Sequence, residues 1–355
     1  MKIAFDVSPL SHPPTGIGNY IRESLRALAE VSAGRDEIVA FAPTSPEGKK
    51  RIPQAVAGMP VTLKLQLLPF AHYWRQAWSR AGWPPVERFL GELDVLHYTD
   101  WMFPPQRGGL RSTMIHDLVP LHHREWVTSR TYSMHSAKYR DAHTCDTVFV
   151  NSEYTRQDVL VTLGLDPARV HVAQPGVGAD FGPDGARADL GGAYVLTVAT
   201  LEPRKNLGVL VQAHELLGGR FQLAVVGGEG WGEQPSLAVP GIVLLGRQSD
   251  EQLARLYRGA AVVAYPSRFE GFGIPIVEAM ASGVPVVAST HESMDEASGG
   301  AALRADPDDP EAWAAALVEA VERHDELVSR GLEHARQFTW RRVGEVMRTA
   351  WEDAT

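Results

Sequence analysis

The chain has 355 residues, of which 44% are hydrophobic and 22% charged, and its formal net charge is −9. This length suits two α/β domains with separate cores. An acidic chain of this kind is not expected to bind nucleic acid.

The single cysteine, Cys145, excludes an intrachain disulfide and a cysteine-based zinc site. Neither a signal-peptide pattern nor an apolar run of the ~18–20 residues needed for a membrane span is present, so we expect a cytoplasmic protein.

Short apolar runs alternate with helical periodicity in the first half of the chain. The runs predict strands at 2–7, 37–42, 94–98, 112–116, 147–150 and 169–173. The helical pattern predicts helices that include 18–30, 131–142 and 152–163. Because the apolar runs are continuous rather than alternating, we expect parallel strands that are covered on both faces.

A segment rich in Gly, Pro and Asp interrupts this rhythm at 174–192, and we interpret residues 176–192 as a linker. The pattern then restarts, with strands predicted at 193–199, 221–226, 241–245, 261–265 and 284–288 and helices at 206–218, 249–259 and 275–282. Two successive βα arrays predict two Rossmann-like domains, 1–175 and 193–338, with a cleft between them. Their ligand-binding loops should lie at the carboxyl ends of the strands.

The segment EGFGIPIVE, from Glu270 to Glu278, lies between a predicted strand and a predicted helix. Pro275 suits the first helical position, so the amides of residues 271–273 should lie at a helix N-terminus, where anionic or hydroxyl oxygens bind. Glu278 follows about one turn into the helix. We interpret both carboxylates as hydrogen-bond acceptors for sugar and ribose hydroxyl groups. A loop glutamate and a solvated helix glutamate remain the alternative.

The segment LEPRKN joins another predicted strand to a helix at 201–206, and we expect Asn206 to cap that helix. The adjacent cations Arg204 and Lys205 oppose the helix dipole, which disfavours positive charge at a helix N-terminus. A bound diphosphate would remove this conflict, since Arg offers a fork of donors and Lys a compact charge. The alternative is an ordinary solvated basic pair.

The segment TGIGNY at 15–20 follows the first strand and superficially resembles a dinucleotide fingerprint. The match is weak, because Ile21 stands where a third glycine is needed and no acidic residue follows at the expected distance. We interpret Gly16 and Gly18 as part of a flexible glycine loop at the mouth of the cleft. A simple turn and helix start is the alternative.

Two further signals lie in the first half of the chain. His116 stands at the carboxyl end of a predicted strand, where a ligand can be reached, although a lone histidine is more often structural. Trp74, Trp78 and Trp83 occur close together with arginines between them. This segment, 72–83, is interpreted either as an acceptor or membrane-surface patch or as core or interdomain packing.

Together, LEPRKN and SRFEGFGIPIVEAMASGVPVVAS resemble the retaining glycosyltransferases of family 4, the glycosyl transferases of group 1, which have the GT-B fold. TGIGNY, IHDLVPL, NSEYTRQDV and the closing FTWRRVGEVMRTAW are also similar, so the resemblance covers essentially the whole chain. It implies an acceptor-side first domain and a nucleotide-sugar-binding second domain that face a central cleft. It also implies that residues 339–355 form a helix that returns to the first domain.

The resemblance further implies roles for residues. Glu270 and the amides of 271–273 would hold the transferred sugar, and His116 would contact it from the opposite domain. Arg204 and Lys205 would neutralise the diphosphate of the leaving group. The donor-binding residues that it implies are Gly16, Gly18, Gly227, Gly246, Arg247, Gly271, Phe272, Gly273 and Glu278. No metal, no cofactor and no protein nucleophile are implied.

The implied activity is a retaining, metal-independent hexosyl transfer from a nucleotide diphosphate sugar to a saccharide or a lipid-linked saccharide, at the inner face of the membrane in the second case. HDL with an early GIGNY is similar to bacterial mannosyltransferases of polysaccharide assembly and indicates GDP-mannose as the donor. A UDP-sugar-dependent glucosyl or galactosyl transferase is one alternative. An NAD-dependent oxidoreductase that uses TGIGNY is another, and a sugar-nucleotide-binding protein without activity is a third.

Overall fold

The computed structural model describes residues 1–355 except 14, 69, 100, 229, 231 and 233–235. The chain divides into two compact units, Met1–Gly176 together with Thr339–Thr355, and Val177–Phe338. Each unit contains a parallel sheet with helices that connect its strands, so the expected fold class, α/β with two parallel-sheet domains, is confirmed.

The sheet of the first unit has the strand order β3-β2-β1-β4-β5-β6-β7. Its strands are β1 (Lys2–Asp6), β2 (Glu37–Thr44), β3 (Thr62–Leu67), β4 (Val95–Tyr98), β5 (Leu110–Ile115), β6 (Thr147–Val150) and β7 (Val170–Val172). The register places Ala4 beside Val39 of β2 and Leu96 of β4. The order reverses between β1 and β4, where strands of this architecture leave a crevice at their carboxyl ends.

The longer helices of the first unit include one that comes from the end of the chain. The helices are α1 (Gly16–Val31), α2 (Gly48–Ala55), α3 (Ala71–Ala81), α4 (Glu87–Leu90), α5 (Val119–His122), α6 (Ser129–Asp141), α7 (Glu153–Leu163) and, from the C-terminus, α14 (Trp340–Ala354). A Cβ on Gly344 of α14 would lie 2.7 Å from the carbonyl carbon of Ala27, so only glycine allows α14 to pack this closely on α1. The Trp351 ring is fully buried, and its Nε1 donates to the hydroxyls of Ser112 and Thr147. The C-terminal helix is therefore part of the core of the first unit.

The sheet of the second unit has the order β10-β9-β8-β11-β12-β13. Its strands are β8 (Tyr194–Val198), β9 (Gln222–Val226), β10 (Ile242–Gly246), β11 (Val262–Tyr265), β12 (Val286–Ser289) and β13 (Leu303–Ala305). Its helices are α8 (Leu207–Leu216), α9 (Asp250–Gly259), α10 (Ile274–Ala281), α11 (Asp295–Ser298), α12 (Pro310–Glu322) and α13 (His324–Ala335). The order reverses between β8 and β11, so the segments that follow these two strands are neighbours.

The structure adds two strands that the sequence patterns did not predict. β3 is an edge strand with mostly exposed residues, and β13 has only three residues, so neither has a long apolar run. Asn206 lies at the N-cap position of α8, as expected, but its side chain makes no capping hydrogen bond. Its backbone is left-handed, with φ of 53°, and its side-chain amide donates to the carbonyls of Pro266 and Pro307 instead. In the described part of the chain, no helix combines the length and the apolar character that a membrane crossing would require.

Candidate functional site

The two motifs of the second unit meet at the carboxyl edge of its sheet. LEPRKN follows β8 and EGFGIPIVE follows β11, and these strands pair directly. The Arg204 guanidinium donates to one oxygen of Glu270 at 2.7 Å, and the Lys205 ammonium donates to the other at 2.6 Å. The three residues that the resemblance assigned to sugar and diphosphate binding therefore form one ionic cluster.

Further contacts fix both cations of this cluster. The Arg204 guanidinium also donates to Glu202 at 2.8 Å and to the backbone carbonyl of Phe269 at 2.9 Å. The Lys205 ammonium also donates to the hydroxyl of Tyr265 at 3.1 Å. Sequence reasoning missed Glu202, although it lies within the LEPRKN motif, two residues before Arg204. It also missed Tyr265, whose position at the end of β11 is the only local signal.

The carboxyl group of Glu270 is ionised. Burial by itself would raise its pKa, but the charges of Arg204 and Lys205 outweigh burial and hold the pKa at about 2. Burial lowers the pKa of the Lys205 ammonium, and Glu270 opposes this shift. An ammonium has three N–H donors, and the described contacts of Lys205 use two of them, so one is left for an anionic ligand.

The glycine segment after Glu270 forms the N-terminus of α10. Gly273 precedes the helix with φ of 102°, a conformation that favours glycine, and Pro275 lies in the first turn. The Glu270 amide donates to the Ser293 hydroxyl at 3.0 Å, which positions the start of this segment. The Phe272 ring is buried in the core of the unit, so only its backbone is suited to bind a ligand.

Glu278 lies in a different environment from Glu270. Its side chain is buried in α10, and the Tyr257 hydroxyl donates to it at 3.2 Å. Burial raises the pKa of Glu278 to about 8, although the hydrogen bond from Tyr257 opposes the shift. The two glutamates of the motif therefore differ at neutral pH. Glu270 is a paired carboxylate, whereas Glu278 is largely protonated in this arrangement.

A pocket of about 650 Å³ lies beside the ends of β9 and β10. Its lining includes Gly227, Gly246 and Arg247, three of the implied donor-binding residues, together with Leu201 of the LEPRKN motif. A Cβ on Gly227 would lie 1.8 Å from the carbonyl oxygen of Ala199, so the close approach of these two segments requires glycine. The pocket is thus adjacent to the motif that carries the cationic pair.

The glycine segment of the first unit is the start of a helix. Thr15 caps α1 by accepting a hydrogen bond from the Gly18 amide at 3.0 Å, and Gly16 is the first helical residue. The interpretation of Gly16 and Gly18 as a flexible loop is therefore wrong, and the alternative of a helix start is confirmed. The reason is the Thr15 side chain, which satisfies an N–H group that a helix otherwise leaves unpaired.

His116 follows β5 at the carboxyl edge of the first sheet. Its Nδ1 lies 3.3 Å from the Asn151 side chain, and its ring contacts Tyr20 edge-on. Burial and the nearby charge of Lys138 lower the pKa of His116 to about 3, so the ring is neutral. Its Nε2 is buried and has no hydrogen-bond partner among the described residues. An unpaired buried nitrogen is costly, and a ligand hydroxyl at this position would satisfy it.

Two family models match the chain. One, described as Glycosyltransferase Family 4, matches residues 14–181, and the other, described as Glycosyl transferases group 1, matches residues 192–323. The chain is 28% identical to an O-antigen chain mannosyltransferase B of Escherichia coli, with 96% of each protein covered. It is 33% identical to a D-inositol 3-phosphate glycosyltransferase of Mycolicibacterium smegmatis, over 59% of this chain and 53% of that protein.

Solved structures share the fold over almost the whole chain. Sucrose-phosphate synthase from Thermosynechococcus elongatus matches with a TM-score of 0.74 and 18% identity, and 99% of this chain and 98% of that chain are covered. HepE from Anabaena, in complex with UDP and glucose, matches with a TM-score of 0.69 and 16% identity, with 99% and 100% covered. The fold is therefore GT-B, as the sequence motifs indicated.

Proposed function

Because this chain belongs to the glycosyltransferases of group 1 and family 4, we propose that it is a retaining, metal-independent hexosyltransferase. Its donor is a nucleotide diphosphate sugar, and its acceptor is a saccharide or a lipid-linked saccharide. The observation that carries this proposal is the convergence of Arg204 and Lys205 on Glu270, next to the N-terminus of α10 and the pocket at Gly227.

The chemistry of the cluster suits departure of a nucleoside diphosphate. When the bond between the anomeric carbon and the phosphate oxygen breaks, negative charge accumulates on the phosphate. Arg204 and Lys205 stabilise this charge without a metal ion, because they are held at fixed positions before the reaction begins. In a front-face reaction the acceptor oxygen then bonds to the same face of the anomeric carbon. The acceptor proton passes to the departing phosphate oxygen.

Glu270 acts in this proposal by positioning. Its carboxylate is ionised and accepts hydrogen bonds from both cations. It therefore keeps the guanidinium and the ammonium at the diphosphate and offers its remaining lone pairs to a sugar hydroxyl. Glu278, one turn further along α10, takes the ribose hydroxyls in the proposed complex.

The name of one relative supports a mannose donor for this chain. The E. coli protein that this chain resembles over 96% of its length is named an O-antigen chain mannosyltransferase. Together with the HDL and GIGNY motifs, this supports GDP-mannose as the donor and a growing polysaccharide as the acceptor. The second candidate is a UDP-sugar, which is supported by the likeness to HepE bound to UDP and glucose.

The first experiment is a thermal-shift screen of GDP, UDP, ADP and their sugars, followed by transfer assays with the ligand that stabilises the protein most. Retention is tested by the anomeric configuration of the product in NMR spectra. Activity should survive EDTA. Complete loss in EDTA that Mn²⁺ restores would overturn the metal-independent part of the proposal.

Variants of the cationic pair test the central observation. Lys205→Ala and Arg204→Ala should each reduce kcat by about 100-fold or more, since each removes a fixed donor to the leaving group. Arg220→Ala is the control, because Arg220 is an exposed cation of the same unit that lies over the Phe221 ring. Wild-type turnover in folded Lys205→Ala protein would refute the role of Lys205.

A further inference from the structure

The segment that follows β12 lies beside the segment that leads to Glu270. β11 and β12 are parallel neighbours, so the segments after them leave the sheet at the same edge. The Ser289 hydroxyl donates to the backbone carbonyl of Ser267 at 2.6 Å, and the His291 ring packs against the Phe269 ring with centroids 5.3 Å apart. The start of the EGFGIPIVE motif is therefore supported by the segment after β12.

A chain of hydrogen bonds runs from His291 to the backbone of Glu270. The Ser293 hydroxyl accepts a hydrogen bond from the Glu270 amide at 3.0 Å and lies 2.9 Å from Nδ1 of His291. The Ser293 amide also donates to this Nδ1, at 3.2 Å. Ser293 is 1% exposed and Glu270 is 6% exposed, so bulk water does not compete for these hydrogen bonds.

The donors in this chain fix the protonation state of His291. An amide N–H can only donate, so Nδ1 of His291 is an acceptor and carries no proton. The neutral ring therefore has its proton on Nε2, and the Ser293 hydroxyl donates its own proton to Nδ1. The oxygen of the same hydroxyl accepts from the Glu270 amide. His291 thus orients the hydroxyl group that holds Glu270.

Arg304 of β13 holds the backbone around His291 in place. Its guanidinium donates to the backbone carbonyl of Ser289 at 2.8 Å, to that of His291 at 3.0 Å and to the carboxylate of Asp295 at 2.7 Å. These contacts from one planar group fix the segment on both sides of the histidine. Because β13 pairs with β12, the hydrogen-bond chain rests on a strand of the sheet.

We propose that His291 is a positioning residue of the transfer reaction, which acts through the Ser293 hydroxyl to orient the peptide of Glu270 and the amides of 271–273. Glu270 is then held at two ends, because the cationic pair fixes its carboxylate and Ser293 fixes its backbone. A site that is fixed before the ligand binds does not need to reorganise as charge develops in the transition state. The role assigned to His291 rests on the proposed function, since it concerns sugar transfer.

The kinetics of a serine variant test the first step of this chain. Ser293→Ala removes the hydroxyl and should lower kcat about 10- to 100-fold, because the glycine segment is no longer fixed. Its affinity for the nucleoside diphosphate alone, measured by calorimetry, should stay as in the wild type, because the cationic pair and the pocket at Gly227 are unchanged. Ser298→Ala is the matched control and should keep the wild-type kcat. Ser298 is also 1% exposed, and its hydroxyl has no hydrogen-bond partner among the described residues.

Two variants of His291 separate its acceptor atom from the rest of the ring. Asn offers an acceptor oxygen at the position before a helical turn, so His291→Asn should keep a kcat close to that of the wild type. His291→Leu has no acceptor and should lower kcat as much as Ser293→Ala does. The double variant should be no slower than Ser293→Ala alone, because His291 acts through Ser293. Additive losses would show that His291 acts by another route and would overturn the proposal.

The protonation state of His291 can be measured without ligand or turnover. In nitrogen NMR spectra of histidine-labelled protein, the His291 signals are assigned by their absence in His291→Asn, and they should show a proton on Nε2 and none on Nδ1. A proton on Nδ1 would overturn the proposal. If the wild type and folded Ser293→Ala protein transfer sugar equally fast, the positioning role falls and the proposed function stands. A wild type that transfers no sugar from any nucleotide sugar overturns the proposed function itself, and the role of His291 with it.

Discussion

Replacing Glu278 with Gln should change how the stability of the protein depends on pH. Gln has the same shape as a protonated glutamic acid and can still accept the hydrogen bond that Tyr257 donates at 3.2 Å. It cannot ionise, however. The variant therefore isolates the free energy of placing a carboxylate at this buried position of α10.

The direction in which stability changes with pH follows from the direction of the pKa shift of Glu278. The pKa of Glu278 is raised from 4.5 to about 8 in the folded protein, so the native state holds the proton more tightly than the unfolded state. This contribution to stability is fully present below pH 4.5 and is lost as the pH rises through 8. At 1.36 kcal/mol per pKa unit, the free energy of unfolding of the wild type should fall by about 2.5 kcal/mol, relative to that of Glu278→Gln, between about pH 6 and pH 9.

Urea unfolding of both proteins across this pH range measures the difference between their free energies of unfolding. The free energy of unfolding of the wild type should fall relative to that of the variant up to about pH 8 and then level off. Infrared difference spectra should also contain a protonated carboxyl band that titrates near pH 8 in the wild type and is missing in the variant. Parallel pH profiles of the two proteins, or a carboxylate band that persists down to pH 6, would refute the reasoning.

Two further substitutions test the cluster and the packing of the C-terminal helix. Glu270→Gln should lower kcat by about 100-fold. Glu202→Gln should cost less, because among the described residues Glu202 forms an ion pair with Arg204 alone, whereas Glu270 pairs with both cations; equal losses in steady-state assays would contradict this ranking. Gly344→Ala should destabilise the protein by about 1–3 kcal/mol through overpacking, since its Cβ would lie 2.7 Å from the backbone of Ala27, whereas Gly108→Ala has open space; thermal melts that show the same change for both variants would contradict it.

The order of strands and helices could be predicted from the sequence because the buried parallel strands are continuous apolar runs. β6 was predicted with its observed bounds, and most other strands were placed to within two residues. β3 could not be found in this way. It lies at the edge of its sheet, and most of its side chains face solvent, so it carries no apolar signal.

The residue types of the candidate site were also readable from local sequence. Cations before a helix and glycines after a strand are unusual combinations, and they indicated Arg204, Lys205 and Glu270 as candidate ligand-binding residues. Their partners were not readable, because Tyr265 and Ser293 come from other positions along the chain. The pairing of β11 with β8 brings Tyr265 to the cluster, and the pairing of β11 with β12 brings Ser293 to it.

The charge states of the two glutamates and the exposure of the two tryptophans of α3 depended on tertiary structure alone. The motif EGFGIPIVE contains two glutamates that look equivalent in sequence, yet one is held ionised by Arg204 and Lys205 and the other is kept largely protonated by burial. Trp74 and Trp78 lie one turn apart on the same side of α3, yet Trp78 packs against the rings of Phe41 and Phe89 whereas Trp74 is exposed. The sequence by itself determined the fold class and the motifs of the candidate site, since periodicity and glycine placement are local. Only the folded chain decided which carboxyl group carries charge and which aromatic ring meets solvent, since both depend on neighbours distant in sequence.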